Sequence, residues 1–298
     1  MTLRRLPLAL PSAVLALACA APATLAATLV NSERSLYRDV LVYEDGSERC
    51  MCFTRQCRIG RQTCIDLQNP RRFALNYTRM MLGGALFTAD PPKRILIVGL
   101  GGGTLPTALA ELLPQAQIDV VEIDPAVTRA ARRFFDFKEG PRMRVIEQDG
   151  RVYVKRAGRA GERYDLVMLD AFDHEYIPEH LLTREFLGEV RALLPPGGVL
   201  VANTFSSSRL YDHESTTYAA VFGSFYNLKR ENRVIVARNG ALPDAAELER
   251  RSLNYDAALK SYGVDRQAVL SLFTTQRDWD EGARVLTDQY SPANLLNR

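Results

Sequence analysis

The sequence predicts an α/β fold, a mostly parallel sheet with helices on both faces, preceded by a small N-terminal β domain. Three observations predict it. The run Ile95 to Val98 is apolar at every position, as a strand buried on both faces must be. Gly99, Gly101 and Gly103 follow at a spacing that lets a tight turn pass close beneath a ligand, and Leu105 to Leu113 then reads as a helix. Strand and helix patterns alternate from there onward, the signature of parallel strands joined by crossover helices.

Taken in order, Met1 to about Ala27 has the build of a secretory leader. Arg4 and Arg5 precede an apolar stretch from Leu6 to Ala20, and Ala21-Pro-Ala23 and Thr24-Leu-Ala26 are small-residue cleavage sites. The mature chain is therefore expected outside the cytoplasm, in the periplasm. Cys19 offers a lipoprotein alternative, although the position three before it is alanine rather than a larger aliphatic. No later stretch approaches the roughly 20 apolar residues of a membrane span. A formal charge of +3 gives no reason to expect a nucleic-acid partner.

Residues 28–70 read as the β domain. Leu36 to Glu44 is rich in β-formers, Asp45-Gly46 signals a hairpin, and Arg49 to Phe53 and Arg58 to Leu67 continue as strands. Cys50, Cys52, Cys57 and Cys64 crowd into this segment. In an exported protein such a cluster reads as two disulfides, with three connectivities open. A tetrathiolate zinc site is the competing reading, and the gaps do not repeat the paired spacing of zinc ribbons. His174, His180 and His213 are too scattered for a metal set, so no metal is expected.

Residues 71–298 form the larger domain. Arg72 to Leu86 reads as a helix leading into the glycine strand. Ile118 to Ile123, Met143 to Glu147, Leu166 to Leu169 and Val199 to Asn203 are the further strands, separated by helical patterns. Asn227 to Asn232 and Arg233 to Arg238 supply the last strands, with an antiparallel arrangement open to them. The strand after the glycine turn ends in carboxylates about 20 residues on, where a ribose-binding acid is expected, and Glu122 is the candidate because an acceptor-only carboxylate suits a vicinal diol. Asp170 stands at the carboxyl end of a buried strand, where ligands bind in such sheets.

These pieces together resemble the spermidine synthase (polyamine aminopropyltransferase) family, which has a methyltransferase-type Rossmann fold behind a small β domain. The matching pieces are Tyr37-Arg-Asp-Val-Leu-Val-Tyr43, Tyr77-Thr-Arg-Met80, Ile97-Val-Gly-Leu-Gly-Gly-Gly103, Val121-Glu-Ile-Asp-Pro125, Gln148-Asp-Gly150, Tyr164 to Asp173, and Pro196-Gly-Gly-Val-Leu200. Leu286 to Pro292 resembles the tail of exported or membrane-fused members.

By that resemblance the enzyme would move an aminopropyl group from decarboxylated S-adenosylmethionine, a co-substrate rather than a resident cofactor, to a polyamine. Glu122 would hold the ribose and Asp149, beside Gly150, the adenine amino group. Gln62 would contact the donor, Asp170 would be the catalytic carboxylate, and Asp173 and Tyr77 would flank the amine. A homodimer is implied as well.

Two positions depart from the family pattern. Its Gly-Gly-Gly-Asp-Gly loop has Gly102 at the acid's place, removing a carboxylate that would grip the donor's ammonium. Its Tyr-Gln-Glu-Met is Tyr77-Thr-Arg-Met80 here, and Arg79 in a polyamine channel would repel a cationic substrate. An S-adenosylmethionine-dependent methyltransferase, which Gly102 tolerates, and a non-catalytic polyamine- or nucleoside-binding protein therefore stand as alternatives.

Overall fold

The computed structural model describes residues 27–57, 60–171, 177–205 and 209–296. The expected leader lies outside them apart from residue 27, as does Asp173. Two sheets organise the chain. The first is an antiparallel meander of β1 (Thr28–Arg34), β2 (Asp39–Asp45), β3 (Glu48–Cys52) and β4 (Arg61–Asp66), in that order. β1 has no sequence signal, because its residues are mostly exposed and carry no apolar alternation.

Cys50 and Cys64 face each other across β3 and β4 and form one disulfide, while Cys52 and Cys57 form the second and close the loop after β3. The inner face of this sheet, with Val40, Val42, Met51 and Ile65, packs on Ala126, Val127, Ala130 and Phe135 of helix α3 (Pro125–Phe134) and its end.

The second sheet has seven strands in the order β10-β11-β9-β8-β5-β6-β7. β5 (Arg94–Val98), β6 (Gln117–Glu122), β7 (Met143–Glu147), β8 (Leu166–Leu169) and β9 (Val199–Phe205) run parallel. β11 (Asn232–Arg238) is antiparallel to β9 and pairs with β10 (Phe225–Lys229).

The apolar run in β5 has its reason here. Ile95 and Ile97 join the core under helices α1 (Asn76–Thr88) and α2 (Thr104–Leu112). Leu96 and Val98 join the opposite core under α4 (Gly150–Arg159) and α5 (Arg184–Leu193). Both faces are thus covered, as a parallel sheet requires.

The chain leaves β5 toward β6 on one side and returns to β8 on the other. That reversal opens a crevice at the carboxyl ends of β5 and β8, where such sheets bind ligands. α1 starts at Asn76, later than the expected Arg72, because Phe73 is drawn into a bridge with Ile65 and its N–H donates to the carbonyl of Tyr262.

Beyond β9, helix α6 (Leu210–Phe222) packs against α5. The short helices α7 (Ala245–Leu253), α8 (Asp256–Lys260) and α9 (Arg266–Leu270) lie between β11 and the C-terminal segment, with α7 and α9 against α1. Among the described residues no helix is long and apolar enough to cross a membrane.

Candidate active site

A cavity of about 800 Å³ occupies the crevice, within the range of small-molecule sites. Gly99, Gly101, Glu122, Asp149, Gly150, Asp170, Gln62 and Tyr77 all line it. The glycine turn is built by close approach. Gly99 has φ of 101°, and a Cβ there would stand 2.2 Å from the carbonyl oxygen of Asp170. Only glycine fits both the angle and the space.

Gly150 lets α4 begin tightly over β5, since a Cβ would stand 2.5 Å from Val98 Cγ1. Gly103, expected among the nucleoside contacts, does not line the cavity. It precedes α2 with φ of 75°, and a Cβ would meet the Phe137 ring at 2.3 Å. Its role is to set α2 against Phe137, while Gly101 before it and Thr104 after it face the cavity.

Glu122 is buried at the end of β6. Its Oε2 accepts from the backbone N–H of Leu100 at 3.0 Å and its Oε1 from that of Asp124 at 2.9 Å, which fixes the carboxylate across the glycine turn. Burial raises its pKa against these hydrogen bonds. Each oxygen keeps a lone-pair direction for a ligand hydroxyl.

Asp149 caps α4 through Oδ1, which accepts from Val152 N–H at 2.9 Å, and its Oδ2 lies 2.9 Å from His180 Nε2. That histidine lowers the carboxyl's pKa. His180 was not expected in the site, and the sequence held no signal for it: a short 3-10 turn, Glu179–Leu181, brings it beside Asp149 from 31 residues away.

Asp170 sits on the cavity floor, its N–H bonded to the Val98 carbonyl at 2.8 Å. Its Oδ1 accepts from Asn203 Nδ2 at 3.0 Å. Desolvation pushes its pKa up to about 6, opposed by hydrogen bonds from Asn203 and Tyr77. The Tyr77 hydroxyl donates to the backbone carbonyl of Gln62 at 3.1 Å and lies within reach of Asp170. Burial, and then that carboxylate, raise the phenol's pKa well above its ordinary value.

Gln62 follows Arg61 on β4, which forms one wall together with Thr63. Asn203 was legible only as a polar residue at the end of an otherwise apolar strand. Glu231 and Asn232, at the β10–β11 turn, also line the cavity unexpectedly.

Arg79 corrects an expectation: it does not line the cavity. Its guanidinium donates to the Phe73 carbonyl and, at 3.1 Å, to Asn76 Oδ1. The helix begins at Asn76, so residue 79 lies over its first turn, where those acceptors draw the side chain away from the crevice. At Gly102 a Cβ would stand 2.8 Å from Thr63 Cγ2 and 3.0 Å from the Phe135 ring. The small sheet fills the space that a side chain at 102 would take.

Comparison with known proteins agrees with this geometry. The family model for the spermine/spermidine synthase domain matches residues 74–236. A polyamine aminopropyltransferase of Vibrio vulnificus is 50% identical over 275 residues, covering 90% of this chain and 91% of that protein. Among solved structures, a probable spermidine synthase from Corynebacterium glutamicum shares the fold with a TM-score of 0.65 at 21% identity, over 87% of this chain and 96% of that one. Human methyltransferase-like protein 13 in complex with SAH gives a TM-score of 0.54 at 25% identity, over 70% of this chain and 97% of that one. With the model covering more than half of its length and a relative this similar end to end, the chain belongs to the spermine/spermidine synthase family.

Proposed function

We propose that the protein transfers an aminopropyl group from decarboxylated S-adenosylmethionine to a polyamine, with Asp170 as its catalytic carboxylate. One observation carries the assignment. Asp170, held by Asn203 and near Tyr77, shares a single cavity with the glycine turn and Glu122, so an amine at the acid and a nucleoside on the turn would meet.

Glu122 takes the ribose hydroxyls, Asp149 and Gly150 border the base, and Gln62 closes over the donor from β4. The amine nitrogen attacks the methylene beside the sulfonium. A carbon–nitrogen bond forms, the carbon–sulfur bond breaks, methylthioadenosine leaves, and the nitrogen's proton passes to Asp170. A carboxyl near pKa 6 is ionised at neutral pH, as an acceptor must be, yet more basic than an ordinary aspartate.

Asp173 is assigned to the amine by family pattern alone, being outside the described residues. Residues 28–70 act as the unit that walls the cavity, and 71–298 as the unit that carries the chemistry. The two disulfides and the leader-like N-terminus support export to the periplasm, and family membership supports a homodimer.

Gly102 favours one other reading. Without an acid at that place, S-adenosylmethionine itself is not disfavoured, and the protein would be a methyltransferase. Product analysis decides between them. Methylthioadenosine release that falls at least about a thousand-fold in Asp170→Asn is the expected result; adenosylhomocysteine release would replace the assignment by the second reading.

A further inference from the structure

The transfer reaction leaves one singled-out stretch unused, Leu286 to Pro292 near the carboxyl end of the chain. Its place in the fold gives it a role. Asp149 and Gly150, at the start of α4, border one end of the cavity together with Pro178, His180 and Leu181 of the 3-10 turn Glu179–Leu181 and its flank. That turn has two backbone bonds of its own, from the Leu181 N–H to Pro178 and from the Leu182 N–H to Glu179. So short a piece of 3-10 geometry does not hold its position alone.

The C-terminal segment supplies the hold. The Asn294 amide accepts from the Ile177 N–H at 2.9 Å and donates to the Ile177 carbonyl at 3.1 Å, pairing with it as a neighbouring strand would. Ser291 Oγ donates to the Glu179 carbonyl at 3.0 Å, and the Arg184 N–H donates to the Leu286 carbonyl at 2.9 Å. Leu286 and Ala293 are buried with Ile177 and Leu182 in one apolar cluster. A chain end docked in this way orders the turn it covers.

Arg151 ties this assembly to α4. It stands two residues past Asp149, and its side chain is nine-tenths buried. The guanidinium makes a bidentate pair with Asp288 at 2.6 and 2.7 Å and a second with Glu189 of α5 at 3.0 Å through both nitrogens. Its Nη1 also donates to the His180 carbonyl at 3.3 Å, and Asp288 Oδ1 accepts from Thr183 Oγ1 at 2.7 Å. One acid would neutralise the charge; two bidentate pairs also fix the plane of the guanidinium. The helix that carries Asp149 thus grips the backbone that carries His180, and those two side chains meet at 2.9 Å.

We propose that Arg151 is a positioning residue for the base of the nucleoside: clamped by Asp288, it sets the spacing between Asp149 and the His180 turn, and with it the preference for a base bearing an amino group. This rests on the nucleoside reading of the cavity. Asp149 can accept from an amino group only while the turn keeps the base within hydrogen-bond reach, and a slot about 1 Å wider forfeits that contact. Lysine is no substitute, because a point charge cannot hold two forks and a carbonyl together.

The test is calorimetric titration of the full chain with methylthioadenosine and with methylthioinosine, whose base has an oxygen where the amino group was. The ratio of the two dissociation constants should fall about ten-fold in Arg151→Lys, the size of one lost hydrogen bond to a charged group. Asp288→Asn, at a half-exposed position and so milder for folding, should shift the ratio in the same direction. Donor KM should rise in both variants while kcat holds, because the groups that hold Asp170 lie on β8, β9 and α1.

A merely structural role would lower the melting temperature and weaken both nucleosides by one factor; an unchanged ratio in the two variants overturns the proposal and leaves the transferase assignment standing. Wild-type protein that binds neither nucleoside removes the nucleoside reading, and wild-type protein that binds both alike removes Asp149 as the base's acceptor. Either result takes the proposal with it.

Discussion

Asp170 has to be ionised to work, in a place that resists ionisation. Its carboxyl stands at about 6, raised by burial, whereas an unfolded aspartate titrates near 3.9. Two predictions follow from the sign. Folding disfavours the charged form, so its contribution to stability is fully present below about pH 3.9 and is lost as the pH rises through about 6. Asp170→Asn should therefore raise the melting temperature at neutral pH by a few degrees, on the order of 1–2 kcal/mol after allowing for cavity water, and give little gain near pH 4. Calorimetry at the two pH values checks it; an equal shift at both would mean the change acts through packing. The acid limb of kcat/KM should fall near pH 6. Glu122 is also raised, so the limb needs assigning. Asn203→Ala removes a bond that favours the ionised form of Asp170 and should move the limb upward, whereas a limb belonging to Glu122 would stay in place.

At the scale of the elements, the turn after β5 joins donor seat and catalytic acid in one piece of backbone. The Gly99 N–H bonds to Val121, the Asp170 N–H bonds to Val98, and no Cβ fits between residue 99 and the Asp170 carbonyl. Gly99→Ala should thus displace both strand ends, costing several kcal/mol through strain and overlap and reducing kcat and donor affinity together. Loss of stability with unchanged kinetics in the folded fraction would show the turn to be scaffold only. This junction was legible in the sequence, because an apolar run, spaced glycines and an acid about 20 residues on are each fixed by local chain geometry. Asn203, His180 and Glu231 were not. They reach the cavity only through the strand order β8-β9-β11 and a short 3-10 turn before α5, which no local pattern encodes. Arg79 was misplaced for a related reason: helix periodicity gives a face, while the acceptors at Phe73 and Asn76 decide where a long side chain turns.

For the whole molecule, the question is whether the small sheet is an appendage or part of the site. Thr63 lies between Gln62, which lines the cavity, and Cys64, which is bonded to Cys50, and the same Thr63 packs over Gly102. The wall against the nucleoside turn is therefore stapled one residue from its contact. Cross-links of 14 and 5 residues' separation restrict the unfolded chain by roughly 3 and 2 kcal/mol in the loop-entropy account. Removing the first by Cys50→Ser with Cys64→Ser should lower the melting temperature by several degrees. It should also weaken methylthioadenosine binding, because the β4 wall would no longer be held against Gly102. Calorimetric titration of the double variant, below its own transition, separates the two effects. A lower melting temperature with unaltered nucleoside affinity would mean that the sheet's packing on α3 is enough to hold the wall. A loss of both would make an oxidising compartment a condition for a complete site.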